Sequence, residues 1–255
     1  MNMEAHLEQY REQTTHLSTE EMLYWAVQHF PGNVVFSSSF GAEDMVLHHL
    51  IHQLNLPITI ITLDTGRLPP ETYELMETVR KTYPHQIEVY FPDAKAVEEL
   101  TCKKGFFSFR ESIENRKECC HIRKIEPLTR ALAGKNAWIT GIRKSQSTTR
   151  TIAQKIEYDQ SQDILKINPL VNWEEEQVWQ YLREKKIPYN RLHDQGYPSI
   201  GCQPCTRAIK PGEDLRAGRW WWEKPEQKEC GLHQYSQIKS ATIKTNRDLA
   251  SDAKL

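Results

Sequence analysis

The chain has 255 residues, enough for one large α/β domain or for one domain with an appended tail. Its 33 Lys and Arg residues nearly balance its 34 Asp and Glu residues, which argues against a broad nucleic-acid-binding surface but leaves room for a local basic pocket. The sequence has no run of about 18 apolar residues and its N-terminus lacks the apolar core of a secretory signal, so we expect a cytoplasmic protein with no membrane span and with reduced cysteines.

Short β-rich runs alternate with helical patterns along the first half of the chain. Ser18 and Glu21 have the spacing of a capping box ahead of a first helix. Predicted strands cover residues 33–37, 58–63 and 87–91, a fourth strand ends at 138–141, and predicted helices cover residues 45–54, 70–83, 94–102 and about 123–132. This alternation predicts an α/β fold with a doubly wound, mostly parallel sheet and helices on both faces. We expect this domain to span residues 1–198 and residues 199–255 to form an irregular C-terminal extension.

Three polar loops follow the predicted strands, at the sheet edge where such folds bind ligands. They are residues 37–41 (SSSFG), 63–67 (LDTGR) and 140–146 (TGIRKSQ). The first offers hydroxyl and N–H groups at a helix N-terminus, which suits a phosphate, and the third adds the positive charge of Arg143. The candidate binding residues in the first two loops are Ser37, Ser38, Ser39, Phe40, Gly41, Asp64, Thr65, Gly66 and Arg67.

The serine loop by itself is a weak signal. It matches neither the GxxxxGK[ST] pattern of nucleoside triphosphatases nor the GxGxxG pattern of dinucleotide-binding folds. Taken alone it fits a plain helix-capping turn equally well, and only the convergence of three polar loops favours binding. Glu43 and Asp44 would compete with a bound phosphate unless they point away from the loop.

Four cysteines form two close pairs. Cys119 and Cys120 are adjacent, and Cys202 and Cys205 form a CxxC motif. Four thiolates suit either a zinc ion or an iron–sulfur cluster. Adjacent cysteines are awkward ligands for one tetrahedral ion because neighbouring side chains tend to diverge, so the spacing favours a [4Fe–4S] cluster over zinc.

Two further cysteines lie apart from these pairs. Cys230 stands beside a glycine and three residues before His233, a setting that suits an exposed nucleophile but also fits a free surface thiol. Cys102 has no motif around it, and we assign it to packing.

The sequence resembles the assimilatory adenylyl-sulfate (APS) reductases of the wider APS/PAPS reductase family. The matching segments, in the family's order, are SSSFGAED (37–44), LDTGRLPPETY (63–73), ECCHIRKIEPL (118–128), WITGIRKSQS (138–147), YPSIGCQPCTR (197–207), RAGRWWWE (216–223) and KECGLH (228–233). The double cysteine, the CxxC motif and the late ECGLH are together highly specific.

The resemblance implies a fold and a set of site residues. The fold is of the adenine-nucleotide α-hydrolase type, and a [4Fe–4S] cluster is held by Cys119, Cys120, Cys202 and Cys205. Cys230 is implied as the catalytic nucleophile on a mobile C-terminal segment. Lys124, Arg216, Arg219 and His233 match family positions that contact substrate anions or lie near the cluster. With Arg143, the first three would offset the repulsion between a thiolate and an anionic sulfate.

The implied reaction is the reduction of APS to sulfite and AMP in assimilatory sulfate reduction, which supplies cysteine biosynthesis. It passes through a cysteine S-sulfonate on Cys230, and thioredoxin or a glutaredoxin-like protein supplies the electrons. The partners are therefore this nucleotide and this reductant, with no nucleic acid and no membrane; a homo-oligomer is left open.

Three alternative functions remain open at this point. PAPS reduction, or reduction of both nucleotides, would need a 3′-phosphate pocket that the sequence does not reveal. A nucleotide-activating sulfurtransferase on the same sheet would need an SGGxDS-type loop, and SSSFGAED lacks its two glycines. A non-enzymatic zinc-binding interaction module would contain zinc and no iron.

Overall fold

Six strands form one sheet in the computed structural model, which describes residues 6–84, 86–147 and 150–224. The strands are β1 (Val34–Ser38), β2 (Thr59–Leu63), β3 (Ile87–Tyr90), β4 (Ala137–Ile139), β5 (Ile156–Asp159) and β6 (Ile164–Ile167). Their order across the sheet is β3-β2-β1-β4-β6-β5. Every neighbouring pair is parallel except β5 and β6, which are antiparallel. The predicted doubly wound, mostly parallel sheet is confirmed.

Eight α-helices connect and cover the strands in the described residues. They are α1 (Leu7–Thr14), α2 (Thr19–His29), α3 (Ala42–Gln53), α4 (Pro70–Thr82), α5 (Ala94–Lys104), α6 (Ile113–Cys120), α7 (Glu126–Leu132) and α8 (Glu175–Glu184). The predicted capping box is present at α2, where Ser18 Oγ accepts the Glu21 N–H and Glu21 Oε2 accepts the Ser18 N–H. None of the described helices is long and apolar enough to cross a membrane.

Alternation along β1 divides the core between the two faces of the sheet. Val34 and Phe36 belong to the large cluster that contains the buried residues of α3, whereas Val35 packs with Leu128 of α7 and Trp138 of β4. The same alternation sends successive polar residues at the end of β1 to opposite faces. Polar side chains from both faces of the sheet therefore lie near its carboxyl edge.

The structure differs from the predicted elements in two respects. The elements α1, β5, β6 and α8 were not predicted; in β6 the buried Lys166 interrupts the apolar run that identifies an interior strand. One predicted helix starts near residue 123, whereas α6 begins at Ile113 and continues through a π-helical turn (His121–Ile125) into α7. The polar residues of α6 hide it, because it buries little beyond Arg116.

The described part of the C-terminal extension packs directly on the sheet domain. Gln203 donates its amide N–H to the carbonyl of Arg67 at 2.8 Å. Near the end of the described residues, Arg116 Nε and Glu223 Oε1 form an ion pair at 2.6 Å, with side chains only 1% and 4% exposed. These contacts hold the CxxC motif and the tryptophan run against α6.

Candidate active site

A cavity of about 230 Å³ lies at the carboxyl ends of the central strands. All three loops that the sequence places at this edge contribute to its lining: Ser37, Ser38, Ser39 and Gly41 from the first, Leu63 and Thr65 from the second, and Thr140, Gly141, Ile142 and Gln146 from the third. The expected convergence of these loops is confirmed.

Two residues of the serine loop are engaged with α3 and shape the loop itself. Ser38 Oγ lies 2.9 Å from His48 Nε2 and accepts the amide N–H of Phe40 at 3.1 Å. Phe40 is buried, has a φ of 58° and stacks on the His48 ring with centroids 5.3 Å apart. A left-handed backbone at a bulky residue is strained, and such strain is typical of functional loops.

The third serine of the loop is bound to a carboxylate. Asp44 Oδ2 accepts the Ser39 N–H at 2.6 Å and the Ser39 hydroxyl at 2.7 Å. Asp44 therefore points into the loop and occupies the amide and hydroxyl that the sequence analysis reserved for a phosphate. Burial raises the pKa of Asp44 to about 6, against the opposing effect of the Ser39 hydrogen bonds. A Cβ atom at Gly141 would overlap Asp44 Oδ1, so the third loop closes tightly on this carboxylate.

Ser37 lies on the opposite face of β1 from Ser38. Its Oγ accepts the indole N–H of Trp138 at 2.6 Å, and both residues line the cavity. Because the indole can only donate, the Ser37 hydroxyl keeps its own proton for another acceptor.

The loop after β2 turns mostly away from the large cavity. Thr65 lines this cavity, but Asp64 is buried and accepts the Gly66 N–H at 2.8 Å, which stabilises the turn. Arg67 lines a second cavity, next to the cysteines. The structure thus places one of the four candidate residues of this loop at the large cavity.

Arg143, predicted to stabilise substrate charge, is held in a buried ion pair. Its Nε lies 2.8 Å from Glu43 Oε1, with side chains 4% and 16% exposed, and its Nη1 donates to Ser145 Oγ at 2.7 Å. It does not line the cavity, whereas Gln146 and Arg150 of the same region do. The charge of Arg143 is thus balanced by Glu43, which itself lines the cavity.

A second, smaller cavity of about 20 Å³ brings the two cysteine pairs together. Cys119, Cys120, Cys202 and Cys205 all line it, and none of them forms a disulfide. Within the described ranges, no group of three or more His, Cys, Asp and Glu side chains is arranged around a single metal ion. A zinc ion would hold every sulfur at about 2.3 Å, whereas a [4Fe–4S] cluster takes one thiolate at each of four separate irons. Four free thiols at one cavity are a ligand set of the kind that a [4Fe–4S] cluster takes.

Three N–H groups around the cysteine cavity have no acceptor among the described residues. They are Nε of Arg123, Nε of Arg219 and Nε1 of Trp220, all buried in residues that line the cavity. A buried donor without an acceptor is unfavourable by about 1–3 kcal/mol. A group rich in sulfur acceptors would satisfy these donors, so the residues present fit a cluster held by the four thiolates.

Positive charge surrounds the same cavity and acts on its thiols. The basic residues that line it are Arg67, Arg116, Arg123, Lys124 and Arg219. Burial raises the pKa of Cys202, but the charge of Lys124, a hydrogen bond to Thr65 Oγ1 at 3.2 Å and two arginines together hold that pKa below its ordinary value. At Cys205 burial dominates and raises the pKa to about 12. The two thiols of the CxxC motif are therefore in different electrostatic environments.

Lys124, Arg219 and Trp220 form the wall between the two cavities, because each lines both. Lys124 lies in the π-helical turn that follows the cysteine pair of α6. A π turn inserts one extra residue into a helix and is frequent at functional sites. Arg219 packs so closely on Gly201 that a Cβ there would overlap its guanidinium, and Trp220 has a strained φ of 39°. A cation at this wall can therefore act on both cavities at once.

The remaining predicted site residues divide between the cavity and the undescribed part of the chain. Arg216 lines the large cavity with Arg219. Cys230 and His233 lie outside the described residues. The assignment of Cys102 to packing is wrong: it is exposed on α5, because that helix buries only Leu100.

Several lining residues were not predicted from the sequence: Thr72, Met76, Leu128, Arg150 and His193. Arg150 follows the third loop by four positions and could have been found by extending that loop. His193 carries no local signal, since it reaches the cavity from a short 3₁₀ turn (Arg191–Gln195). Burial lowers the pKa of His193.

Two solved structures share this arrangement of strands and helices. A phosphoadenylyl-sulfate (PAPS) reductase from Candida auris, in a phosphate complex, superposes with a TM-score of 0.69 at 34% identity and covers 80% of this chain and 97% of that one. An FMN adenylyltransferase from Candida glabrata shares the fold alone, with a TM-score of 0.53 at 16% identity over 87% of this chain and 74% of that one. The fold is therefore of the adenine-nucleotide α-hydrolase type, as expected.

Residues 33–208 match the family described as phosphoadenosine phosphosulfate reductase domain. The chain is 55% identical over 201 residues to the adenosine 5′-phosphosulfate reductase of Allochromatium vinosum, covering 79% of this chain and 78% of that protein. It is 53% identical over 200 residues to the enzyme of the same name from Burkholderia cepacia, covering 78% and 80% of the two chains. The chain belongs to the phosphoadenosine phosphosulfate reductase domain family.

Proposed function

We propose that this chain is an oxidoreductase that reduces adenylyl sulfate to sulfite and AMP, with Cys230 as its nucleophile and thioredoxin as its electron donor. The observation that carries the proposal is the wall of Lys124, Arg219 and Trp220, which lies between the cavity at the carboxyl edge of the sheet and a cavity lined by four cysteines. Relatives at 53–55% identity with the name adenosine 5′-phosphosulfate reductase support APS as the substrate.

Charge distribution orients the nucleotide in the large cavity. Among the described residues, the cations that line this cavity are Lys124, Arg150, Arg216 and Arg219. Lys124 and Arg219 stand at the end next to the cysteines, because they also line the cysteine cavity. Asp44 already occupies the Ser39 amide, so the serine loop is a poor site for the anionic end of the substrate. The phosphate and sulfate oxygens therefore bind at the cationic end, and the nucleoside extends toward the serine loop.

The first chemical step is the attack of the Cys230 thiolate on the sulfate sulfur. A sulfur–sulfur bond forms, the bond from sulfur to the phosphate oxygen breaks, and AMP leaves with the bonding electron pair. Cys230 then carries an S-sulfonate. Lys124, Arg216 and Arg219 offset the repulsion between the thiolate and the sulfate oxygens and stabilise the charge that develops on the leaving phosphate.

The second step releases sulfite. A thiolate of thioredoxin attacks Cys230 Sγ, a mixed disulfide forms, and sulfite departs with the electron pair of the sulfur–sulfur bond. The second thiol of thioredoxin resolves this disulfide and restores the Cys230 thiolate. The dithiol thereby supplies both electrons of the reduction.

Cys119, Cys120, Cys202 and Cys205 are the residues that would hold a [4Fe–4S] cluster, and the residues that carry the three unpaired N–H groups line the same cavity. When bound, the cluster supplies a compact charged group whose field acts on the neighbouring cations. Lys124 and Arg219 are the residues through which that field would reach the substrate end of the large cavity. Four free cysteines at one cavity also suit the cytoplasm that we propose for this protein.

The test is sulfite release from APS and from PAPS, with thioredoxin and anaerobically purified protein, for the wild type, Cys230→Ser and the control Cys102→Ser. We expect sulfite from APS with the wild type and the control and none with Cys230→Ser. Mass spectrometry of the wild type after incubation with APS alone should show one added SO₃ group on Cys230. A rate with PAPS equal to that with APS would make the protein a reductase of both nucleotides, and no sulfite from either would overturn the proposal.

A further inference from the structure

The three serines at the end of β1 and in the loop after it differ in whether their hydroxyl groups can donate a hydrogen bond to a ligand. Ser38 is tied to His48 and to the Phe40 amide, and the Ser39 hydroxyl donates to Asp44. The Ser37 Oγ, in contrast, accepts a hydrogen bond from Trp138 at 2.6 Å. An accepting hydroxyl still has a proton to donate, and the indole cannot receive it.

Trp138 is held so that its indole N–H meets Ser37. The side chain is 1% exposed and packs with Val35 and Leu128 between β4 and α7. Lys166 lies with its Nζ 5.7 Å from the indole centroid, and this lysine is itself buried and paired with Glu157 at 3.4 Å. A cation against the ring face favours the present ring position, so the donor is held rigidly.

The surroundings of Ser37 suit a flat aromatic group. Leu63, Leu128 and Trp138 line the cavity beside it. The anionic groups of a nucleotide would instead bind at a positively charged part of the lining, among Lys124, Arg216 and Arg219. An adenine ring has nitrogens that accept hydrogen bonds and no charge, which matches one donor in an apolar setting.

We propose that Trp138 is a positioning residue that orients the Ser37 hydroxyl to donate to an unprotonated ring nitrogen of the adenine base. This inference rests on the proposed function, since it assumes that an adenine nucleotide occupies the large cavity. Trp138 acts through Ser37 and selects for the base without touching the reacting atoms. It adds a recognition element that the sequence motifs do not reveal.

The experiment measures AMP binding by calorimetry for wild type, Ser37→Ala, Trp138→Phe and the double variant. One net hydrogen bond corresponds to a change of about two- to tenfold in affinity. We expect each single variant to bind AMP more weakly by this factor, and the double variant to bind no more weakly than Ser37→Ala. In turnover assays the two variants should raise KM for APS by a similar factor and leave kcat nearly unchanged.

The matched control is Trp173→Phe. Its indole Nε1 also donates to a hydroxyl, Thr19 Oγ1 at 3.0 Å, but at a place that does not line the cavity. We expect this variant to lose stability as Trp138→Phe does and to bind AMP as the wild type does. A purely structural role of Trp138 would instead give additive losses in the double variant, and that outcome would overturn the inference.

Deaza analogues of AMP test which acceptor is used and do not depend on how well Trp138→Phe folds. One of 1-deaza-, 3-deaza- and 7-deaza-AMP should bind the wild type more weakly than AMP does but bind Ser37→Ala as AMP does. If all three lose the same factor in both proteins, the hydroxyl does not meet the base and the inference is wrong. If the wild type does not bind AMP at all, the proposed function fails with it; if all variants bind AMP equally, only the inference fails.

Discussion

The two cavities of this protein are built in opposite ways, although they share a wall. The cysteine cavity is assembled from two local motifs, an adjacent pair and a CxxC, whose side chains line the same small cavity. The large cavity is assembled from single residues of many elements, and its most distinctive loop is largely satisfied within itself: Ser38 bonds to His48 and Ser39 bonds to Asp44. The four cysteines that we propose as cluster ligands thus form two close pairs in the sequence, whereas the residues that line the large cavity are dispersed.

The largest expected effect concerns the cysteine cavity. Cys202→Ser removes a thiolate whose pKa is held down by neighbouring positive charge and a hydrogen bond to Thr65. We expect the anaerobically purified variant to lose nearly all bound iron and all sulfite production, while Cys102→Ser, which alters an exposed thiol, keeps both. Iron analysis and visible absorption measure the outcome, and full iron in Cys202→Ser would contradict the ligand assignment.

The attachment of the C-terminal extension to the cysteine cavity depends on a buried ion pair. Arg116→Met leaves the Glu223 carboxylate, 4% exposed, without its partner at 2.6 Å. Breaking such a pair is destabilising by about 3–5 kcal/mol. Chemical denaturation should show this loss, and Arg80→Met, which breaks an exposed pair with Glu77, should change stability little. Equal losses in the two variants would show that burial does not matter here.

The shared wall predicts that the functions of the two cavities can be separated. Lys124→Met removes a cation that lines both. Loss of one such stabilising group typically lowers kcat by about 10²–10³-fold, and we expect that loss with iron content unchanged. Lys144→Met, which removes an exposed charge from the rim of the third loop, should keep full activity. If Lys124→Met lost its iron as well, Lys124 would be required for holding the cluster, and a separate role at the substrate would be contradicted.

The smallest of these effects is a pH dependence of stability at the large cavity. The pKa of Asp44 is raised by burial from 3.8 to about 6, so the folded state favours the protonated carboxyl. Stability from this group is present below about pH 4 and is lost as the pH rises through about 6, by an amount on the order of 2–3 kcal/mol.

Asp44→Asn should remove this dependence and keep the acceptor for Ser39. The difference in denaturation midpoint between the variant and the wild type should therefore grow in favour of the variant from pH 5 to pH 7. A constant difference over this range would mean that Asp44 stays ionised, stabilised by the Ser39 amide and hydroxyl.

Prediction from sequence succeeded where a pattern is local. The alternation of strands and helices gave the parallel sheet, and the spacing of Ser18 and Glu21 gave the capping box that the structure contains. It failed where a buried charge breaks the pattern, as Lys166 does in β6. It also failed for Cys102, because the local sequence does not indicate that the face of α5 that carries Cys102 is exposed to solvent.

The sequence by itself determined the class of sheet, the loops at its carboxyl edge and the two cysteine pairs, because periodicity and ligand spacing are properties of neighbouring residues. Only the tertiary structure decided what each polar group does. It paired Arg143 with Glu43, turned Asp44 into the serine loop, and set Lys124 between two cavities. The physical reason is that charge pairing and hydrogen bonding depend on distances between residues far apart in the chain, and these distances exist only once the sheet has brought its loops together.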